Sequence, residues 1–488
     1  RDRCDCKRHL PPPGILHGGT IANPVCHRNA IMQTPPSFKM TILIVHYHLR
    51  SGGVTRVIES QVKVLQDMRH RVIIASSGPV EDWDCECHLI PELDYSNAGT
   101  IPVDQLLAVD ADLWIIHNPT LGLNRAFPGM IETAEESGTR ILMQIHDFVE
   151  DGRSANYQLL AGRKRLYPDA PHVHYATINR RDLKILKKAG VPESRCHFLP
   201  NAVNPPSIRE TTSQGTLVFY PVRGIRRKNI GELCLLAAHA PAGTRFAIAL
   251  RAGSEEPSYL HDDWVRFSKE KDLPIEFDVV GKDPHSFPQW LERASHLVTT
   301  SISEGFGLTF LDPAFLKKPL IGRDLPEVTS DFVPYGTLYQ KIPVPLKHLE
   351  GLETTYREQL SQTMSAYGRP MNDLDLDQAW EKFSADGEVD FGNLPENFQR
   401  RIISHVHLPD LAKWLAHALA QPAQDVDTSP WTLGTYAETL RKTIVSIGEP
   451  GPVEWIPRER VLDQFLQPAR FHFLRSRLMV SGNSPTRP

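Results

Sequence analysis

Ala294 to Phe315 read ASHLVTTSISEGFGLTFLDPAF. The run to Ser301 is short, apolar and closes on small hydroxyl side chains, which predicts a buried strand. From Leu308 the apolar residues fall at helical spacing until Lys317, Lys318 and Pro319, so a helix starts just past Gly305-Phe306-Gly307. Strand, glycine turn and helix together make the repeating unit of a parallel α/β sheet, whose ligands bind beyond the carboxyl ends of the strands. Two carboxylates stand by this turn, Glu304 before it and Asp312 in the helix. Why they flank a helix start suited to an anion is the question the rest of the chain answers.

The same unit recurs in both directions. From Met40, TILIVHYH reads as a strand and SGGVTRVIESQVKVLQDM as a glycine loop and amphipathic helix, with Val54, Val57, Ile58, Val62 and Leu65 on one face. HRVIIASS, DLWIIHNP, TRILMQIHDF and VHYATIN continue the strands, and CHFLPNAV closes this half. Asn204–Gly215, NPPSIRETTSQG, is a polar linker. The rhythm restarts with GTLVFYPV, IGELCLLAAHA, RFAIALRA and PIEFDVVG before reaching the quoted stretch. Near-continuous apolar strands separated by helices imply parallel sheets covered on both faces.

The expected organisation is therefore an extension over 1–39, a Rossmann-like domain over 40–205 and a second over 206–427. An insertion of helices and loops occupies about 334–409, a late helix 428–448, and a C-terminal extension 449–488. Residues 1–39 hold six basic and two acidic residues and six prolines, which predicts disorder. The final segment mixes arginines with Phe and Leu, suiting a packed helix or one that meets a membrane surface or partner.

With 488 residues there is room for two domains. A net charge of −4 argues against a nucleic-acid binder. The longest apolar runs are strand-length, so no membrane span is expected. Seven cysteines include two C-x-C pairs but no C-x-x-C or matched histidine spacing, so neither a zinc site nor any other metal is expected. Free thiols fit a reducing, cytoplasmic setting.

Four loops sit where ligands bind. In HLRSGGVTR, Gly52 and Gly53 let backbone approach a ligand, and the helix start favours phosphate; the pattern is not G-x-G-x-x-G, against a dinucleotide. In QIHDFVEDGR, His146 projects from a strand end. In YPVRGIRRKNIGEL, Arg223 and Lys228 are two cations that would suit a diphosphate, with Arg226 and Arg227 readable as a solvated basic loop. In the quoted stretch the amides of Gly305, Phe306, Gly307 and Leu308 can donate to a phosphate, Glu304 can hold a hydroxyl-rich ligand, and Asp312 can take sugar hydroxyls.

In order and spacing these loops, with LPNAV, resemble the GT-B glycosyltransferases, specifically the retaining family-four type, over about Met40–Phe332 and Pro430–Ile447. The resemblance implies two Rossmann-like domains facing across a cleft, with a nucleotide-diphosphate sugar as donor. Carried over, Arg223 and Lys228 would bind the diphosphate and Glu304 the donor sugar. The amides of Phe306 to Leu308 would serve the donor and Asp312 its ribose. Gly52 and Gly53 would approach phosphate or acceptor, and His146 would sit by the reacting sugar. Asn201 matches the hinge segment, with Ala202 where glycine is usual. Asp312 departs from the usual glutamate, one methylene shorter.

The implied activity is hexosyl transfer to an acceptor hydroxyl of a glycan, lipid-linked or small molecule, with retention and without a metal or cofactor. A sugar-nucleotide epimerase and a catalytically silent sugar or nucleotide binder are the alternatives, the second disfavoured by the cations and Glu304. Tyr157, Arg163 and Lys164 are candidates for an acceptor wall, or for a solvated helix face.

Overall fold

A computed structural model describes residues 39–50, 52–81, 83–97, 99–209, 215–251, 258–282 and 285–475. The expected basic, proline-rich extension falls outside the described residues except for Lys39, as do the middle of the linker and the last thirteen residues, 476–488.

The first half holds β1 (Thr41–Val45), β2 (Arg71–Ser76), β3 (Glu86–Leu89), β4 (Leu113–His117), β5 (Ile141–Ile145), β6 (Tyr167–Asp169), β7 (Val173–Thr177) and β8 (Cys196–Phe198). Seven of these form a parallel sheet in the order β3-β2-β1-β4-β5-β7-β8. Every residue of β4, β5 and β7 is buried. Strands covered on both faces cannot alternate apolar with polar, so their sequences read as continuous apolar runs.

The second half holds β9 (Thr216–Arg223), β10 (Thr244–Leu250), β11 (Ile275–Glu276), β12 (His296–Thr299), β13 (Leu320–Arg323) and β14 (Thr337–Tyr339). They form a parallel sheet in the order β11-β10-β9-β12-β13-β14. The strand read from PIEFDVVG is cut to two residues, and Asp278 just beyond it takes φ 58°. In each sheet the winding reverses at one place, between β1 and β4 and between β9 and β12. Such reversals leave a crevice between diverging loops.

The expected insertion begins later than the sequence suggested, because β14 belongs to the second sheet. Beyond it, β15 (Pro343–Pro345) and β16 (Glu388–Asp390) pair antiparallel, and helices span Leu352–Ala366, Asp373–Phe383 and Glu396–His405. A buried ionic network ties this region to the sheet. Arg323 donates to both oxygens of Glu232 (2.8 and 2.7 Å) and of Asp390 (2.7 and 3.0 Å).

The C-terminal segment is structural in both halves. The Leu433–Ser446 helix packs Tyr436, Leu440 and Ile444 against β1 and the Gly53–Asp67 helix. Next, β17 (Glu454–Ile456) pairs antiparallel with β6, and the Arg458–Phe465 helix adds Val461 and Phe465 to the first sheet's core. The chain then crosses over: Phe471 and Phe473 enter the second half's core, their rings 5.4 and 6.1 Å from that of Tyr356. Arg475 forms an ion pair with Asp151 of the first half. The aromatic residues of this segment thus face inward. No helix among the described residues is long and apolar enough to cross a membrane.

Candidate active site

Most of the expected site residues gather at the two reversals. At the second, β9 runs into the Arg226–Lys228 turn and β12 into Ser301–Gly307, so strands adjacent in the sheet deliver their loops side by side. Asn229 takes φ 50°, with its amide donating to Glu232 (2.8 Å) and its carbonyl accepting from Gln399 (2.9 Å). The Arg323 network therefore anchors the residue next to Lys228. The backbone there is held again by Thr300, whose hydroxyl donates to the Lys228 carbonyl (2.9 Å).

Lys228 and Glu304 are 7% and 8% exposed and form an ion pair. Arg227 reaches the other oxygen of Glu304 at 3.3 Å and donates to the Ser303 carbonyl at 2.9 Å. Ser301 donates to Glu304 (2.6 Å), and its hydroxyl meets that of Tyr220 at 2.8 Å. Burial alone would lift the Glu304 carboxyl. The charges of Lys228 and Arg227, with the Lys228 and Ser301 hydrogen bonds, outweigh it and hold the group at about 2. Burial draws the Lys228 ammonium down to about 8, with Glu304 opposing, so both stay charged at neutral pH.

Arg227 is therefore half-exposed, as the sequence had allowed, but held in place by Glu304 and the Ser303 carbonyl. Arg226 is no solvated residue: it forms a two-pronged pair with Glu396. Arg223, the expected partner of Lys228, ends β9 with its side chain exposed, outside the Glu304 cluster. The signal that separates Arg227 from Arg223 is long-range, since only the fold brings Glu304 to the first of them.

The quoted turn itself is shaped by glycine. Gly307 caps the Leu308–Phe315 helix at φ 94°, and a Cβ there would lie 2.7 Å from Val328. That helix has no side-chain cap and no acidic residue in its first turn, leaving its leading amides for an outside acceptor. Gly305 abuts the first half, with its carbonyl accepting from Asn179 (2.8 Å). Phe306 is a packing residue, clustered with Ile178, Val203, Leu311 and Trp431. Asp312 stands apart from the Glu304 group; burial lifts its carboxyl to about 6, with Arg56 of the first half opposing. Asn201 is buried in the hinge, its Oδ1 without a partner among the described residues.

At the first reversal, Gly52 is extended (φ −177°), so its backbone does not demand glycine. A Cβ on Gly52 would come no closer than 3.7 Å to the protein, and one on Gly53 would meet nothing within 4 Å. The fifteen-residue Gly53–Asp67 helix also lacks a side-chain cap and an acidic first turn. Room is thus left above an uncapped helix start. His146 follows β5 and His117 ends β4; their rings stack at 5.2 Å and bond at 2.9 Å. Burial holds His146 at about 4 and His117 well below its ordinary value, so both are neutral. The His146 carbonyl lies 3.3 Å from where a Gly305 Cβ would stand, so the histidine and glycine turns meet. Asp147 lies close enough for its charge to raise Arg227, against the effect of burial.

The candidate acceptor wall serves packing instead at Tyr157, which lies between the Arg458 guanidinium (3.7 Å to the ring) and Tyr367 (5.1 Å). Arg163 and Lys164 remain exposed. Among the described residues, no group of three or more His, Cys, Asp or Glu could hold a metal ion.

No protein-family model matches the chain. It is similar to mannosylglucosyl-3-phosphoglycerate synthase of Petrotoga mobilis, 27% identical over 410 residues that cover 74% of this chain and 80% of that protein. Among solved structures it is similar to HepE of Anabaena, in complex with UDP-glucose (TM-score 0.51, 12% identity, covering 83% of this chain and 100% of that one). It is also similar to sucrose-phosphate synthase of Thermosynechococcus elongatus (TM-score 0.50, 12% identity, 83% and 98% covered). The fold is that of the GT-B glycosyltransferases, as the residues led us to expect.

Proposed function

We propose that this chain of GT-B fold is a glycosyltransferase that moves a hexosyl group from a nucleotide-diphosphate sugar to an acceptor hydroxyl, with retention and without a required metal. The observation that carries the reading is the buried Lys228–Glu304 pair, with half-exposed Arg227 on the second Glu304 oxygen, at the second sheet's reversal and facing the neutral His146 loop. The donor diphosphate would take Lys228 and Arg227 as partners, with the exposed Arg223 closing on it from the strand end. Uncapped amides at Leu308 add to the same pole. Glu304, held as a carboxylate, would accept from donor sugar hydroxyls and offset positive charge growing on the ring.

When the bond from anomeric carbon to diphosphate oxygen breaks, its electron pair goes to the diphosphate, whose charge the fixed cations meet. The acceptor oxygen attacks on the same face, and its proton passes to the departing phosphate oxygen. The products are the glycoside and the nucleoside diphosphate. Two cations already fixed at the leaving group supply the charge that a divalent ion would bring elsewhere. The HepE complex, which holds UDP-glucose, supports a nucleotide-sugar donor here. The Petrotoga relative points to a phosphorylated, carboxylated sugar acceptor, and we place mannose among the candidate sugars on the same ground. Such charged substrates belong to the cytoplasm, and the free Cys85, Cys87, Cys196 and Cys234 suit that reducing setting.

The test is calorimetric titration with GDP, UDP and ADP and their sugar conjugates, without added metal, followed by transfer to glucosyl-3-phosphoglycerate. Binding of one diphosphate and formation of a new glycoside are expected. Interconversion of the donor without an acceptor would point to an epimerase. Binding without turnover would mean a silent protein.

A further inference from the structure

A chain of hydrogen bonds runs from the late helix to the cleft, through residues far apart in sequence. Gln61, on the Gly53–Asp67 helix, donates its amide to Tyr436 Oη (3.0 Å) and to Gln144 Oε1 (2.9 Å). Its carbonyl Oε1 meets His117 Nε2 at 3.0 Å, and His117 Nδ1 meets His146 Nε2 at 2.9 Å. Gln61, His117 and Gln144 are fully buried, and Tyr436 and His146 nearly so.

We propose that Gln61, oriented by Tyr436, is a positioning residue that sets the tautomer of His146 through His117, so that His146 offers an unprotonated Nδ1 to the substrate. The polarity follows from the inventory of donors and acceptors. An amide donates only from nitrogen, and that nitrogen is committed to two oxygens. His117 Nε2 must then donate to the Gln61 carbonyl. A neutral imidazole carrying its proton on Nε2 has a lone pair on Nδ1, so the bond between the rings requires His146 Nε2 to donate in turn. The second lone pair, on His146 Nδ1, is engaged by no described residue. Burial keeps both rings neutral, so neither can satisfy two acceptors at once.

The inference rests on the glycosyltransferase reading for its consequence, not for its geometry. A fixed lone pair accepts from a hydroxyl and repels a carboxylate or carbonyl oxygen at the same place. The relay therefore selects a sugar whose group beside His146 carries a proton, and rejects a deoxy or uronate counterpart.

The test is long-range ¹H–¹⁵N correlation on the full chain labelled at histidine, with signals assigned by their loss in His146→Gln and His117→Gln. Both rings are expected to carry the proton on Nε2. In Gln61→Met, which keeps volume but not polarity, His146 should lose its single tautomer. Turnover should then fall roughly tenfold or more, while nucleoside diphosphate affinity stays within about twofold because the cations are untouched. Gln61→Glu, which keeps an acceptor toward His117, should restore the tautomer and part of the turnover. Protonation of His146 on Nδ1 in the parent protein would overturn the proposal, as would an unchanged tautomer in Gln61→Met. Should Gln61→Met fail to fold, Tyr436→Phe takes its place: a mixed tautomer supports the relay, and an unchanged one removes Tyr436 from it. A parent protein that shows the expected tautomer but transfers no sugar would refute the function alone.

Discussion

Lys228 and Glu304 lie 76 residues apart and form an ion pair that is almost wholly buried. Each ends the loop of one of two neighbouring strands, so their meeting reports the register of β9 against β12 as directly as any backbone bond. Breaking a buried pair by removing one partner costs more than the pair contributes, about 3–5 kcal/mol, because the other charge is stranded. Glu304→Ala and Lys228→Ala are expected to lower turnover by roughly 10²–10³. Both should also lower the unfolding midpoint, measured by urea titration beside initial rates. A variant that keeps near-parental transfer would remove that residue from the site.

Arg223, at the end of β9, and Arg227, in the turn that follows, should separate. Arg223 is exposed and outside the Glu304 cluster, so Arg223→Ala should leave stability within about 0.5 kcal/mol and weaken nucleoside diphosphate binding. Arg227→Ala should weaken binding and also release Glu304 from its low value, since Arg227 supplies part of that shift. Calorimetric titration of both variants, paired with thermal unfolding, checks the contrast.

Gly307→Ala should be costly on two counts: the left-handed φ of 94° and a Cβ 2.7 Å from Val328. A loss of about 1–3 kcal/mol is expected. Because the same residue caps the helix whose leading amides we propose meet the diphosphate, donor affinity should fall with it. By contrast, Gly53→Ala meets no protein atom within 4 Å, so a loss of affinity there without a loss of stability would mark a ligand contact.

Stability against pH carries two opposed slopes. Burial holds His146 at about 4 against an ordinary 6.5, so its contribution is whole above 6.5 and lost as pH falls toward 4. Burial also lifts the Glu150 carboxyl, bonded by Tyr167 at 2.8 Å, from 4.5 to about 7. Its contribution is whole below 4.5 and lost as pH rises toward 7. Glu150→Gln should therefore gain on the parent between pH 4.5 and 7, by at most about 3 kcal/mol. Unfolding free energies at four or five pH values would show a flat difference if Glu150 does not titrate in that range.

Much of this is legible in the sequence. Apolar strands, glycine turns and amphipathic helices follow from local periods, which a sequence states openly. Loops at the carboxyl ends of those strands followed in turn, and so did Glu304, Lys228 and His146. Arg227 was missed because its worth lies in a partner 77 residues away. Gln61, His117 and Tyr436 were missed for the same reason, although one sign was available: DLWIIH ends a strand on histidine and TRILMQIH carries one just past the neighbouring strand, at the same edge of the sheet. Arg323, Glu232 and Asp390 leave no local trace, since charged residues scattered through a helix and two strands look solvated until the sheet is assembled. The arginines and phenylalanines near the C-terminus allowed either a packed helix or a surface one, because their faces are divided between two cores.

That division bears on the order in which the protein can be made. Residues 454–465 complete the core against the first sheet, and Phe471 and Phe473 complete the core against the second. Both halves' missing pieces leave the ribosome only after every strand of the two large sheets has been made. Until then each nascent half exposes apolar surface that its own earlier sequence cannot cover, such as Tyr356 in one and Phe148 in the other. The two halves thus mature together, and a stop a few codons before Phe471 would harm the fold far more than its distance from the Lys228–Glu304 pair suggests.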